Sequence, residues 1–272
     1  MHWSEQVHRL RRERVGCVLV TVVSVRGHAP RAAGAKMIVT ADTTYGTVGG
    51  GNLEETAIAR GRQMLEGGIG EVEQLTMSLS EHADNAHGVQ CCGGEVVLLL
   101  EPQLPVPAVA IFGMGHVGRE LAHILGRHDI DLYLADSRAA QIDSLPEDLG
   151  ETVAQVTVRR VPVPELMLGE VPAGTHVVIM SHDHAEDAAL CDAALRCSHL
   201  GTIGLIGSNA KWRRFEKTLA AEGHSPESIA RIQCPVGFPE ITSKEPAAIA
   251  VGIAAALLQA FARDRLAERT SR

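Results

Sequence analysis

The stretch from Ala108 to Asp136 constrains this chain most. Ala108-Val109-Ala110-Ile111-Phe112 is a short apolar run of the kind that forms a buried strand. Gly113-Met114-Gly115-His116-Val117-Gly118 follows at once, then a helical pattern with Leu121, Ile124 and Leu125 on one face. A second strand, Ile130 to Ala135, ends at Asp136. A G-x-G-x-x-G run between strand and helix gives each glycine a task. Gly113 makes the tight turn, Gly115 lets backbone approach a phosphate, and Gly118 lets the helix pack on the strand. The helix start supplies N–H groups and positive partial charge for an anion, and Asp136 is placed to accept hydrogen bonds from ribose hydroxyls. The expectation is a dinucleotide-binding unit.

The residues after this stretch keep the same rhythm. Thr175 to Met180 and Thr202 to Ile206 read as strands, each followed by a helical pattern, which predicts a parallel α/β sheet. The residues before it differ. Residues 3 to 14 read as an amphipathic helix, and Val15 to Val25, Lys36 to Thr40, Leu75 to Leu79 and Val96 to Leu100 as strands, with Thr43 to Val48 leading into the glycine triplet. Asn52 is expected to cap a helix, with Glu55 as its capping-box partner, that stops at Gly67-Gly68. Pro102 to Pro107, with three prolines, is the expected linker. The fold class is therefore α/β in two domains, a mixed α+β domain over 1–104 and a parallel-sheet domain over 105–272.

Charge and composition remove several classes of function. A net charge of −8 argues against unaided binding to nucleic acid or anionic membrane, and 3% aromatic residues leave no stacking platform for bases. Arg9 to Arg14 ahead of Val15 to Val25 loosely resembles a signal peptide, but the run is β-branched and holds Thr21 and Ser24, so a strand is expected. Pro246 to Ala262 is apolar but short for a bilayer and interrupted by Gln259. These readings predict a soluble, cytoplasmic protein. Its six cysteines show no regular disulfide spacing, so reduced thiols are expected.

Several stretches could carry chemistry. Gly49-Gly50-Gly51 opens a helix and could cradle a phosphate, with Arg26, Arg31 and Lys36 as cations just upstream; Glu54 and Glu55 would repel a phosphate at that helix end. Cys91-Cys92-Gly93-Gly94 could bring sulfur to a soft metal, could carry sulfur, or could be a strand entry with small buried side chains. Ser181-His182-Asp183-His184 follows a strand at the edge where α/β sheets bind ligands. His182 and His184 there could ligate a metal or act as acid and base, or simply open a helix. Gly204 to Lys211, including Ser208, could bind an anion, with Arg213 and Arg214 on the next helix. Cys234-Pro235-Val236-Gly237 reads as a turn, and Cys191 and Cys197 as core.

These motifs, taken in order, resemble the xanthine dehydrogenase accessory protein family (XdhC, related to CoxI). The resemblance rests on Gly27-His28-Ala29-Pro30-Arg31, Gly34-Ala35-Lys36-Met37, Gly46 to Gly51 with Leu53-Glu54, and Gln90 to Gly94. It continues through Gly113 to Gly118, His182-Asp183-His184, Gly204 to Ser208 with Lys211, and Cys234 to Gly237. The family implies a chaperone of molybdenum cofactor (molybdopterin) acting in purine catabolism, with a Rossmann-like second domain. Such a protein holds the cofactor during sulfuration by a cysteine desulfurase and delivers it to xanthine dehydrogenase apoenzyme, here as an expected homodimer. By the same resemblance Cys91 and Cys92 are candidate metal ligands or sulfur-handling groups. Arg31, Lys36 and Gly49 to Gly51 are candidates for holding the pterin and its phosphate. The rival reading is a nucleotide-dependent oxidoreductase using Gly113 to Gly118 and Asp136, with His182 or His184 as acid or base.

Overall fold

The computed structural model describes residues 2–79, 94–143, 145 and 149–270. The described chain divides into two compact units. One runs to Pro105 and includes the segment from Asp264, and the other is Val106–Arg263.

The first unit is an antiparallel sheet with a helix on each face. Its elements are α1 (Trp3–Arg12), β1 (Cys17–Arg26), β2 (Lys36–Val39), β3 (Thr44–Gly46), α2 (Gly51–Glu66), β4 (Glu73–Ser78) and β5 (Glu95–Gln103), with strand order β3-β2-β1-β5-β4. The unbroken apolar run of β1 follows from burial on both sides. Val18, Val20 and Val22 pack with Leu53, Ala57 and Met64 of α2, while Cys17 and Leu19 pack with Leu10 of α1. Each such fully buried aliphatic side chain contributes roughly 1.5–3 kcal/mol. The expected linker begins later than its prolines suggested, because β5 pairs with β1 through Pro102 and Gln103. Pro102 is tolerated there because β4 pairs only as far as Leu100, leaving that end of β5 with one open side.

The second unit comprises β6 (Ala108–Phe112), α3 (His116–Leu125), β7 (Asp131–Asp136), α4 (Ala139–Asp143), β8 (Gln155–Arg160) and a 3-10 turn over Pro164–Gly169. It continues with β9 (His176–Ile179), α5 (His184–Arg196), β10 (Ile203–Leu205), α6 (Asn209–Ala221), β11 (Ile232–Gln233) and α7 (Pro246–Thr270), whose residues from Asp264 are assigned to the first unit. The strands are parallel, in the order β11-β10-β9-β6-β7-β8. Numbered from β6 this is 6-5-4-1-2-3, the doubly wound Rossmann order, whose strand direction of travel reverses between β6 and β9. All residues of β6 are buried, as a parallel strand covered on both faces requires. Val109 and Ile111 meet α3 and α7 on one face, and Ala110 and Phe112 meet α5 and α6 on the other. The stretch Pro246–Asp264 of α7 is the one described helix long and apolar enough to cross a membrane, at mean hydropathy 1.6. Its Ala250, Ile253, Ala254, Leu257 and Phe261 are spent on this core.

Candidate functional site

In the first unit, the glycine triplet and the cationic segment meet. Gly49 has φ 136°, and a Cβ there would lie 2.4 Å from Pro30 Cγ. Gly94 faces the other part of the same segment, where a Cβ would lie 2.2 Å from the His28 carbonyl oxygen and 2.8 Å from that of Arg26. Gly94 is held in place by the Leu79 N–H, which donates to its carbonyl at 2.7 Å. The Arg26–Arg31 segment is thus seated between two glycines from two different motifs. Cys91 and Cys92 lie outside the described residues.

The donors of the triple-glycine turn point inward to Glu54. The Val48 and Gly50 N–H groups each donate to Glu54 Oε2 at 3.1 Å, the Thr47 hydroxyl donates to the same oxygen, and the Gly49 N–H donates to Thr47 Oγ1 at 3.1 Å. Burial pushes the Glu54 carboxyl up, but these hydrogen bonds outweigh it and leave it below its ordinary value. The expected capping differs accordingly. Gly50, not Asn52, is the N-cap of α2, Asn52 is buried in the first turn, and Glu54 rather than Glu55 reaches back. The helix ends at Gly67 as expected. Above Gly50, φ 74°, a Cβ would meet no described residue within 4 Å.

The two candidate cations separate. Lys36 Nζ donates to Thr21 Oγ1 at 2.8 Å and stands 4.9 Å over the Trp3 ring. Arg31 is exposed.

In the second unit, Gly113 and Gly118 take the close-packing roles their spacing predicts. A Cβ on Gly113, φ 111°, would lie 2.2 Å from the Met180 carbonyl oxygen, and one on Gly118 would lie 2.1 Å from that of Gly113. At Gly115 a Cβ would meet nothing within 4 Å. Among the described residues no side chain caps α3, and its first turn carries no acid. The Met114 side chain is fully buried against Gly118.

Asp136 has other partners than ribose. It is 1% exposed, with Oδ2 accepting from the Met114 N–H at 2.7 Å and from Arg138 Nη2 at 2.8 Å. Its Oδ1 accepts from the Arg138 N–H at 2.8 Å and from Arg138 Nε at 2.9 Å. Burial raises this carboxyl, and the Arg138 and Met114 donors more than reverse it, so it stays below its ordinary value. Sequence reasoning missed Arg138, although an arginine two residues past the acid was the available signal.

The remaining candidates sit at the carboxyl ends of β9 and β10. Asp183 is the N-cap of α5, accepting from the Ala185 N–H at 2.6 Å and the Glu186 N–H at 3.1 Å, and His182 and His184 are exposed on either side. Among the described residues no group of three or more His, Cys, Asp or Glu is placed to hold a metal. Ser208 caps α6 by accepting from the Lys211 N–H at 3.2 Å. Buried Asp187 accepts from the Ser181 N–H at 2.9 Å and from Lys211 Nζ at 2.6 Å, and Lys211 also donates to the Ile206 carbonyl at 3.0 Å. That ion pair ties the loops after β9 and β10 together, and sequence reasoning did not foresee it. Burial pushes the Cys191 thiol up to about 12 and the half-buried Cys234 thiol up to about 11. Both are therefore neutral, unreactive thiols near pH 7.

The chain is similar to known proteins in both units. The family model described as XdhC Rossmann domain matches residues 109–257, and that described as XdhC and CoxI family matches residues 10–75. The uncharacterized protein YqeB of Escherichia coli (strain K12) is 25% identical over 260 residues, covering 95% of this chain and 46% of that protein. The chain thus spans about half the length of that curated relative. A crystal structure titled as a xanthine dehydrogenase from Bacillus halodurans aligns over 98% of each chain, at 20% identity and a TM-score of 0.49.

Proposed function

This chain belongs to the XdhC and CoxI family, and on that premise we propose that it is an accessory protein that holds molybdenum cofactor in its first unit. In this reading it protects the cofactor while a cysteine desulfurase sulfurates it, then delivers it to xanthine dehydrogenase apoenzyme, working as a homodimer. When bound, the cofactor supplies the molybdenum centre used by the target enzyme.

One observation carries the reading: the Arg26–Arg31 segment is seated between Gly49 and Gly94, so motifs far apart in sequence share one surface of the first unit. Exposed Arg31 suits a phosphate by charge-assisted hydrogen bonding. The inner donors of the turn do not fit that phosphate, because Glu54 already holds them. Cys91 and Cys92 would be soft sulfur donors to molybdenum. Handover needs binding tight enough to protect and weak enough to release, so the expected dissociation constant is micromolar, about −8 kcal/mol.

The experiment is co-expression in a host that makes molybdopterin, then metal and pterin analysis of the purified protein. Pterin and molybdenum are expected with the wild-type chain and are expected to fall together in Cys91→Ala/Cys92→Ala. A wild-type chain free of both, or a double variant that retains both, contradicts the reading.

A further inference from the structure

The segment after β11 makes a feature that the first-unit reading does not use. The Val236 N–H donates to the Leu205 carbonyl at 3.0 Å, so the chain runs past the carboxyl end of β10 as it leaves the sheet. Gly237 has φ 106°, and a Cβ there would lie 3.3 Å from the Gly252 carbonyl carbon, so this strap rests directly on α7.

Two cavities border the strap and share Gln233 and Val236 to Pro239. The smaller, about 200 Å³, reaches Thr202 and Arg263. The larger, about 410 Å³, is lined by Ile206, Pro235, Phe238, Ile241 and Ile249 and by the backbone of Gly207, Gly237 and Gly252. It lies outside the carboxyl ends of β10 and β11, where open parallel sheets bind their ligands, and its size suits a small molecule.

The lining selects the chemistry. Among the described residues no charged side chain lines the larger cavity, so an anion or cation there would lack a partner. Gln233 is its amide, and that side chain makes no hydrogen bond among the described residues. An aliphatic guest would leave this exposed amide to water, whereas a guest with a polar edge gains its hydrogen bond. A flat ring would set its faces against Phe238 and the glycine walls and its edge against Gln233. A side-chain amide places a donor beside an acceptor, which matches the N and N–H edge of a heterocyclic base. We infer that this cavity is a binding site for an uncharged planar heterocycle, read at its edge by Gln233.

The cavity belongs to the second unit and the cofactor reading to the first, and one titration tests both. Pterin itself, 2-amino-4-oxopteridine, is titrated into the full chain and followed by its fluorescence. A saturable component is expected that Gln233→Leu weakens at least tenfold and that Ile249→Trp, which fills the cavity, abolishes. Arg31→Ala is expected to leave it unchanged. Thermal melts of each variant check folding, and Gln233→Leu removes only an exposed amide. Absence of saturable binding up to millimolar pterin overturns the inference. Loss in Arg31→Ala with no change in Gln233→Leu also overturns it, and would instead support cofactor binding by the first unit.

Discussion

The Gly49–Gly51 turn and the Gly113–Gly118 turn look alike in sequence, each a glycine cluster opening a helix, yet they dispose of their N–H donors differently. In the first, Glu54 from the following helix turns back and takes the Val48 and Gly50 donors. In the second, the carboxylate comes from the next strand, takes the Met114 N–H, and leaves the start of α3 without a side-chain cap. Glycine content therefore reports that backbone comes close to something. The position of the nearest acid decides whether that something is a ligand or the chain itself.

Substitutions can break this comparison in order of expected effect. Gly113→Ala combines a positive φ with a Cβ 2.2 Å from the Met180 carbonyl oxygen, so a loss of about 3–5 kcal/mol is expected in denaturant unfolding of the second unit. Asp136→Asn removes the charge that Arg138 surrounds, and about 2–3 kcal/mol is expected by the same measurement. If Asp136 were instead a ribose ligand with a slack native role, stability would hold.

Glu54→Gln comes next, at about 1–2 kcal/mol near neutral pH because the carboxylate is partly solvated. The sign follows from its lowered folded value. Its stabilisation is fully present above the unfolded glutamate value of about 4.3 and fades as pH falls through the lower folded value. The gap between wild type and Gln variant should therefore close on acidification. A gap independent of pH would show that the oxygen matters only as a neutral acceptor. Gly115→Ala is the smallest, within about 0.5 kcal/mol, since its Cβ meets open space and its φ is −74°. A large loss of melting temperature there would mean that the second turn is as closed as the first.

Much of this was legible from residue pattern. The strand–glycine–helix–strand–acid order of 108–136 led directly to a Rossmann sheet, because Gly113 and Gly118 each allow a close approach that a side chain would block. Other elements were not legible. β11 has two residues, and β8 is the half-buried edge strand, so neither carries a strong apolar signal. The site was legible as motifs but not as partners. Lys36 and Arg31 are equal cations in sequence, and only packing turns Lys36 toward Thr21 and Trp3. Glu54 and Glu55 are equal acids, and helix phase selects Glu54 to face the turn. His182-Asp183-His184 carried metal-ligand chemistry by type, whereas local hydrogen bonding spends Asp183 on the start of α5.

The most direct test of cofactor binding by the first unit is the equilibrium affinity of phosphorylated molybdopterin for the wild-type chain, Arg31→Ala and Lys36→Ala. Arg31→Ala should weaken binding at least tenfold, about 1.4 kcal/mol, while Lys36→Ala, whose ammonium is already engaged, should bind like wild type. Unchanged affinity in Arg31→Ala would contradict the account.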